Sequence, residues 1–290
     1  MSIMKFLNDI NKTISFEVFP PKDSSNFNSV KDATEEIAKL APSFISITYG
    51  AGGGTSAYTL DMCKNIQDTF NIDTVAHLTC ISSTKETIQK QLDSIKKSNI
   101  NNILALRGDL TPELINNPNA KRDYNYAIDL IREIVEYDNL FCIGGACYPE
   151  GHPESSSLSD NLIHIKEKVD AGCSFLTTQM FFDNKLLFNF IDKALSININ
   201  VPILPGIMPI TSSKQLYRIN TLSGATIPHE LQSIITKYEN SPLDMEKAGI
   251  DYAINQVLDL FNNGINHVHI YTMNKPLVAK KIKENLEGVL

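Results

Sequence analysis

In the stretch TISFEVFPPK, residues 13–22, a carboxylate stands in the middle of an apolar run. Ile14, Phe16, Val18 and Phe19 surround Glu17, and Pro20-Pro21 ends the run. A charge in such a setting is costly unless it is paired or neutralised, and burial favours the protonated form of a carboxyl group. Glu17 is therefore a candidate proton donor in a dry pocket. The plain alternative is a side chain that reaches solvent at a strand edge. LRGDL, residues 106–110, sets Arg107 and Asp109 around Gly108. On an extended strand both would face one side and could bracket a ligand.

Other motifs read less sharply. YPEGHPES, 148–155, offers Glu150, His152 and Glu154, but its two prolines make an irregular loop. Without an H-x-x-x-H pair or a cysteine partner, no metal site is expected there. HVH at 267–269 reads as packing within a strand. The glycine run YGAGGGTSAYT, 49–59, misses the G-x-G-x-x-G spacing because position 55 is Thr. The strand after it ends in no acidic residue for a ribose, and no G-K-[ST] follows. It is read as an active-site loop whose glycines permit close backbone approach.

These residues need elements to hold them, and the chain alternates accordingly. Short apolar runs at 13–19, 43–49, 74–80, 102–108, 141–148, 175–182, 201–207 and 267–273 read as strands. Longer segments with apolar residues three and four apart separate them, among them YAIDLIREIVEY and LSDNLIHIKEKVDAG. Gly172 and Gly264 fit helix C-termini. Helical segments around 228–238 and 243–262 lie between the last two strands. Eight strand–helix units predict an α/β fold, a (β/α)8 TIM barrel spanning 1–290 as one catalytic domain. A doubly wound open sheet is the alternative. In a barrel, chemistry sits at the C-terminal strand ends. Those ends read Glu17, Thr48-Tyr49, His77, Arg107-Gly108-Asp109, Tyr148, Gln179 and Thr272.

Composition narrows the function classes. The formal charge is −7, and no basic cluster with interleaved aromatics occurs, which argues against nucleic acid or an anionic membrane as partner. No apolar run is long enough to span a bilayer, and the N-terminus lacks a secretory signal pattern. Five cysteines without a C-x-x-C fit reduced, buried thiols in a cytoplasmic protein.

Taken in order, SFEVFPPK, ISITYGAGG, AHLTC, ALRGDL, YPEGHPE, KVDAGCSFLTTQMFFD, PGIMPI and HIYTMNK resemble the motifs of the methylenetetrahydrofolate reductase family, through nearly the whole chain. The length corresponds to the bacterial catalytic barrel. The resemblance implies a flavoprotein that holds FAD non-covalently at the top of the barrel. It implies reduction by NADH or NADPH, followed by reduction of 5,10-methylenetetrahydrofolate to 5-methyltetrahydrofolate in the same space, a ping-pong scheme of one-carbon metabolism and methionine biosynthesis. It implies a homo-oligomer and, in acetogens, a zinc-containing partner subunit.

Residue by residue, the resemblance makes Glu17 the general acid and places Asp109 near flavin and folate. Thr48, Tyr49, His77, Arg107, Gly108, Tyr126, Ala127, Tyr148, His152, Asn161, His164 and Lys168 match flavin-binding positions. Gln179, Gln215 and Lys275 match folate-contacting ones, with Lys275 where the family often has Arg. Glu167 stands where some members have Arg, and Ile219 where some have Phe. Apart from the resemblance, a flavin-free barrel lyase or transferase acting on a small carboxylated substrate, or a partner-binding module, fits the same strand ends.

Overall fold

A computed structural model describes residues 2–21, 23–49, 56–117 and 121–290. Most of the glycine run at 49–59 lies outside them. The strands are β1 (Thr13–Val18), β2 (Phe44–Ile47), β3 (Asp73–Thr79), β4 (Asn102–Leu106), β5 (Cys142–Cys147), β6 (Phe175–Thr178), β7 (Ile203–Leu204), β8 (Gly206–Ile207) and β9 (His267–Tyr271). All pair in parallel, in the order β7-β6-β5-β4-β3-β2-β1-β9-β8. Only Pro205 separates β7 from β8. β7 pairs with β6 and β8 with β9, so this split seventh strand closes the ring. The eight expected strands are all present, and the fold is the (β/α)8 barrel.

Helices surround it: α1 (Met4–Leu7), α2 (Phe27–Ala38), α3 (Ser56–Phe70), α4 (Lys85–Lys97), α5 (Pro112–Asn116), α6 (Ala127–Tyr137), α7 (Leu158–Asp170), α8 (Asn184–Ser196), α9 (Ser213–Ser223), α10 (His229–Tyr238), α11 (Pro242–Asn262) and α12 (Pro276–Leu286). The sequence reading anticipated α10 and α11 between the last strands but did not identify α9.

The two-residue period of a strand sorts its side chains between two cores. Ile14, Phe16, Val18, Ile45, Ile47, Ala76, Ile103 and Ile143 face outward, into the layer between sheet and helices. Phe44, Val75, Leu104, Cys142, Phe175 and Leu204 face inward and fill the N-terminal end of the barrel. The Phe175 ring fits there because residue 144 is glycine; a Cβ at Gly144 would lie 2.3 Å from it. Ile3 and Leu7, at helix α1, close this end as a plug. The polar Asn102 in that wall is fully engaged: its Oδ1 accepts from Ile3 N–H at 2.9 Å and its Nδ2 donates to Thr74 O at 3.0 Å. A third cluster, Phe182, Met208, Ile210, Leu216, Ile219, Leu231, Ile235 and Met245, joins α9–α11 to the loops after β6 and β8. Gly249 lets α11 approach closely, since a Cβ there would overlap Ile210 O at 1.6 Å.

Candidate active site

Further along the inward-facing rows the residues become polar. Thr13, Ser15 and Glu17 alternate along β1, and Ser15 pairs in register with His269 of β9. Glu17 pairs with Ser46 of β2 on one side and Tyr271 of β9 on the other. Closure of the barrel thus brings residues about 250 positions apart into one buried group.

That group is a hydrogen-bonded chain. His269 is 2% exposed; its Nδ1 lies 2.8 Å from Ser15 Oγ and its Nε2 2.9 Å from Ser46 Oγ. Ser46 Oγ lies 3.4 Å from Glu17 Oε2, and Ser15 Oγ lies 3.1 Å from Val268 O. Each hydroxyl has one proton, and with one ring N–H two arrangements follow, the first of which leaves Val268 O without the Ser15 proton. In one, Ser15 donates to Nδ1, Nε2–H donates to Ser46, and Ser46 donates to Glu17. In the other, Nδ1–H donates to Ser15, which donates to Val268 O, and Ser46 donates to Nε2. The first supports an ionised Glu17, while the second fits a Glu17 that carries its own proton. The solvent-edge reading of Glu17 fails, because its side chain is 20% exposed and lies inside the barrel mouth.

His77 approaches the same carboxylate from β3, Nε2 to Oε2, at 3.5 Å. Burial lowers the His77 pKa to about 4, against the opposing pull of Glu17, so the ring is neutral near pH 7. Its buried Nε2 makes no hydrogen bond. Tyr271 completes the wall. Its hydroxyl donates to Thr178 O at 2.5 Å, and burial raises its pKa well above the usual phenol range. Gly206 makes room, for a Cβ there would stand 2.3 Å from the Tyr271 hydroxyl.

Above this floor opens a cavity of about 960 Å³, near the upper end of the size range for small-molecule sites. Its wall includes Glu17, Thr48, Tyr49, His77, Arg107, Gly108, Asp109, Tyr126, Ala127, Tyr148, His152, Asn161, His164, Lys168 and Gln179. Fifteen of the residues singled out in the sequence therefore meet in one place. Gln215 and Lys275 do not line it. Gln215 Oε1 accepts from Thr211 N–H at 2.9 Å, and Lys275 Nζ donates to Thr211 Oγ1 at 2.7 Å, so both are tied to the turn before α9.

The wall is fixed by local bonds. Asn161, buried on α7, donates to Tyr148 O at 3.3 Å. Lys168, one helical turn pair further on, donates to Ala146 O, and burial lowers its pKa. The Tyr148 and His152 rings meet edge to face at 4.6 Å, and burial lowers the His152 pKa. His164 is exposed beside Glu167, at 3.3 Å. Tyr49 accepts from Gln91 Nε2.

The bracketing geometry expected for Arg107 and Asp109 is not what forms. Strand β4 stops at Leu106, and Gly108 turns with φ +85°, so the alternation ends before it can align them. Arg107 instead makes a two-pronged ion pair with Glu154, Nη1 to Oε2 at 2.5 Å and Nη2 to Oε1 at 2.9 Å. Asp109 is exposed at the cavity rim.

Sequence reasoning missed Ser15, Ser46, His269, Tyr271 and the role of Glu154. Packing describes His267, which bonds Thr13 Oγ1 at 2.8 Å, but not His269. The usable signal was the two-residue period, which places His269 on the same face as Tyr271 at a strand end. All five cysteines are free and buried, as expected. No helix is long and apolar enough to cross a membrane, among the described residues.

A family model described as "Methylenetetrahydrofolate reductase" matches residues 2–287. The chain is 34% identical over 273 residues to the 5,10-methylenetetrahydrofolate reductase of Pectobacterium carotovorum, covering 94% of this chain and 89% of that protein. It is also 34% identical over 276 residues to methylenetetrahydrofolate reductase 1 of Schizosaccharomyces pombe. That match covers 94% of this chain and 46% of the fungal protein, so the chain spans about half the length of that relative. Among solved structures, a Clostridium thermocellum protein described as binding two copies of 5-methyl-5,6,7,8-tetrahydrofolic acid superposes with a TM-score of 0.67. It covers 97% of this chain and 98% of its own at 16% identity, a likeness of fold alone.

Proposed function

The chain belongs to the methylenetetrahydrofolate reductase family, and from that premise we propose that its barrel mouth reduces 5,10-methylenetetrahydrofolate to 5-methyltetrahydrofolate with FAD and NADH or NADPH. The observation that carries this reading is Glu17. It is a carboxyl at the floor of a large cavity, joined through Ser46 to a buried histidine–serine pair and 3.5 Å from a neutral His77.

The residues present fit a flavin dinucleotide. The cavity is large enough, its wall mixes aromatic and polar groups, and the orphaned Nε2 of buried His77 faces inward for a polar partner. Thr48, Tyr49, Gly108, Tyr126, Ala127, Tyr148, His152, Asn161 and His164 would hold it, with Arg107 and Lys168 as the cationic groups. When bound, FAD supplies the two-electron carrier between nicotinamide and folate.

The protein's part is protonation and placement. Glu17, as general acid, delivers a proton to the folate amine that must leave carbon when the bridging ring opens. The Ser46–His269–Ser15 chain can then reorganise its hydrogen bonds to stabilise the carboxylate left behind. His77, held neutral, avoids placing a second positive charge beside the cation that ring opening creates. Gln179, on the cavity wall, and Asp109, at its rim, are the candidate contacts to the pterin. Gln215 and Lys275 would contact folate only after leaving Thr211.

Anaerobic rapid mixing tests the proposal. NADH or NADPH should bleach flavin absorbance in the loaded protein, and methylenetetrahydrofolate should restore it. A chain that takes up no flavin, or whose reduced form ignores the folate, rejects the reading.

A further inference from the structure

The cavity is acidic for a site that must accept a diphosphate. Glu17, Asp109, Glu154, Asp160 and Glu167 line it, against Arg107 and Lys168 as the fixed cations among the described lining residues. Lys168 is committed to Ala146 O, and burial already disfavours its charge. Arg107 is thus the principal positive group that a phosphate could engage, and it is occupied. Its two terminal nitrogens hold the Glu154 carboxylate, and its Nε lies 3.4 Å from Gly108 O. The fork geometry that would recognise a phosphate is the one Glu154 now fills.

Glu154 is suited to yielding. Its side chain is 55% exposed, whereas that of Arg107 is 23% exposed. The carboxylate can therefore turn outward into water while the guanidinium stays in the wall. Its backbone remains anchored, since Glu154 N–H donates to His152 Nδ1 at 3.1 Å and Ser155 N–H to His152 O at 2.9 Å. Exposed ion pairs are weak, and although two-pronged alignment strengthens this one, a more highly charged anion can displace the half-exposed carboxylate.

We propose that Glu154 is a resident anion on Arg107, a stand-in that the diphosphate of an incoming dinucleotide displaces. This rests on the dinucleotide reading of the cavity. The consequence is selective: internal competition weakens ligands that carry phosphate and leaves phosphate-free ligands alone. It also keeps the Arg107 charge paired while no dinucleotide is bound.

The test compares full-length wild type with Glu154→Gln and Arg107→Gln after removal of bound nucleotide by exhaustive dialysis. FAD and riboflavin are titrated by flavin fluorescence, ADP and adenosine by calorimetry. Glu154→Gln keeps an acceptor for Arg107 but removes the competing charge. It should tighten FAD and ADP about fivefold, the upper end of the scale of one exposed ion pair, and leave riboflavin and adenosine within about twofold. Arg107→Gln should loosen FAD and ADP, and in its background Glu154→Gln should have no further effect. Equal or weaker ADP and FAD binding by Glu154→Gln overturns the proposal and makes Glu154 a support that stays on Arg107. If wild type binds no flavin, the flavin reading fails separately, and the ADP–adenosine contrast still decides the role of Glu154.

Discussion

At the N-terminal end of the barrel, Phe44, Val75, Phe175 and Leu204 meet Ile3 and Leu7 of the plug. One pleat further along the same strands, Ser46 follows Phe44 and His77 follows Val75 on the inward face, and the wall turns polar. The lower end is apolar and closed, with its Asn102 bonded on both sides. The upper end keeps an unbonded buried nitrogen on His77 and an open cavity. A barrel can afford this because its helices pack on the outward residues, whose core is continuous from one end to the other. The inward residues are then free to specialise, for packing below and, in the proposed function, for chemistry above.

The largest effect that would test this division is at the lower end. Phe175→Ala empties space beside Gly144 in a fully buried layer. It should cost ~3–5 kcal/mol in denaturant unfolding, while the affinity for flavin in the surviving folded protein stays near that of wild type. A stability loss under ~1 kcal/mol, or a loss of flavin affinity as large as the loss of stability, would break the separation of the two ends.

The upper end should carry an acid liability instead. His77 is held neutral, with a folded pKa of about 4 against the ordinary 6.5. The unfolded chain therefore binds a proton first as pH falls. The stability linked to His77 is complete above about pH 6.5, declines below it, and is lost by about pH 4. The linkage amounts to ~3 kcal/mol at most. His77→Asn should flatten this part of the pH dependence in urea unfolding, measured against wild type from pH 7.5 to 4. Parallel curves would show that the ring is protonated or solvated in the fold.

Glu17→Gln separates chemistry from stability at one position. The amide fits the same space but is no acid. Methylenetetrahydrofolate reduction should fall ~10²-fold or more. Reduction of the bound flavin by NADH or NADPH, which needs no such proton, should persist with modest change. Full folate turnover by Glu17→Gln would remove the general-acid role.

The two ends also differed in how well the sequence revealed them. The lower end and the outer layer follow from periodicity alone, so all eight strands were legible. Polar residues stopping apolar runs, such as Glu17, His77 and Arg107, were legible as cavity lining for the same reason. The Ser15–His269–Ser46 chain was not. It depends on the register of β1 against β9, which is fixed only when the barrel closes across more than 250 residues. Arg107 misled because Gly108, two residues after the last residue of the strand, ends the alternation. Gln215 could not be placed because helix α9 went unidentified, and its side chain caps the turn before that helix.

The smallest expected effect sharpens a contrast within the upper end itself, between a carboxylate inside the mouth and one on its rim. Asp109 is exposed where Glu17 is not. A rim carboxylate disfavours the added negative charge of a reduced flavin held in the cavity, so Asp109→Asn should raise the flavin midpoint potential. Water sets the scale. At ~6 Å and a dielectric near that of water the repulsion is ~0.7 kcal/mol, on the order of 15 mV for a two-electron couple. Added salt should shrink this difference between variant and wild type, because exposed charges are screened. A spectroelectrochemical titration of both proteins, at low and high ionic strength, reads both quantities. A rise several times larger that ignores salt would place Asp109 in a dry environment like that of Glu17. No rise, or a fall, would mean that the rim carboxylate does not tune the flavin, leaving pterin contact as its role.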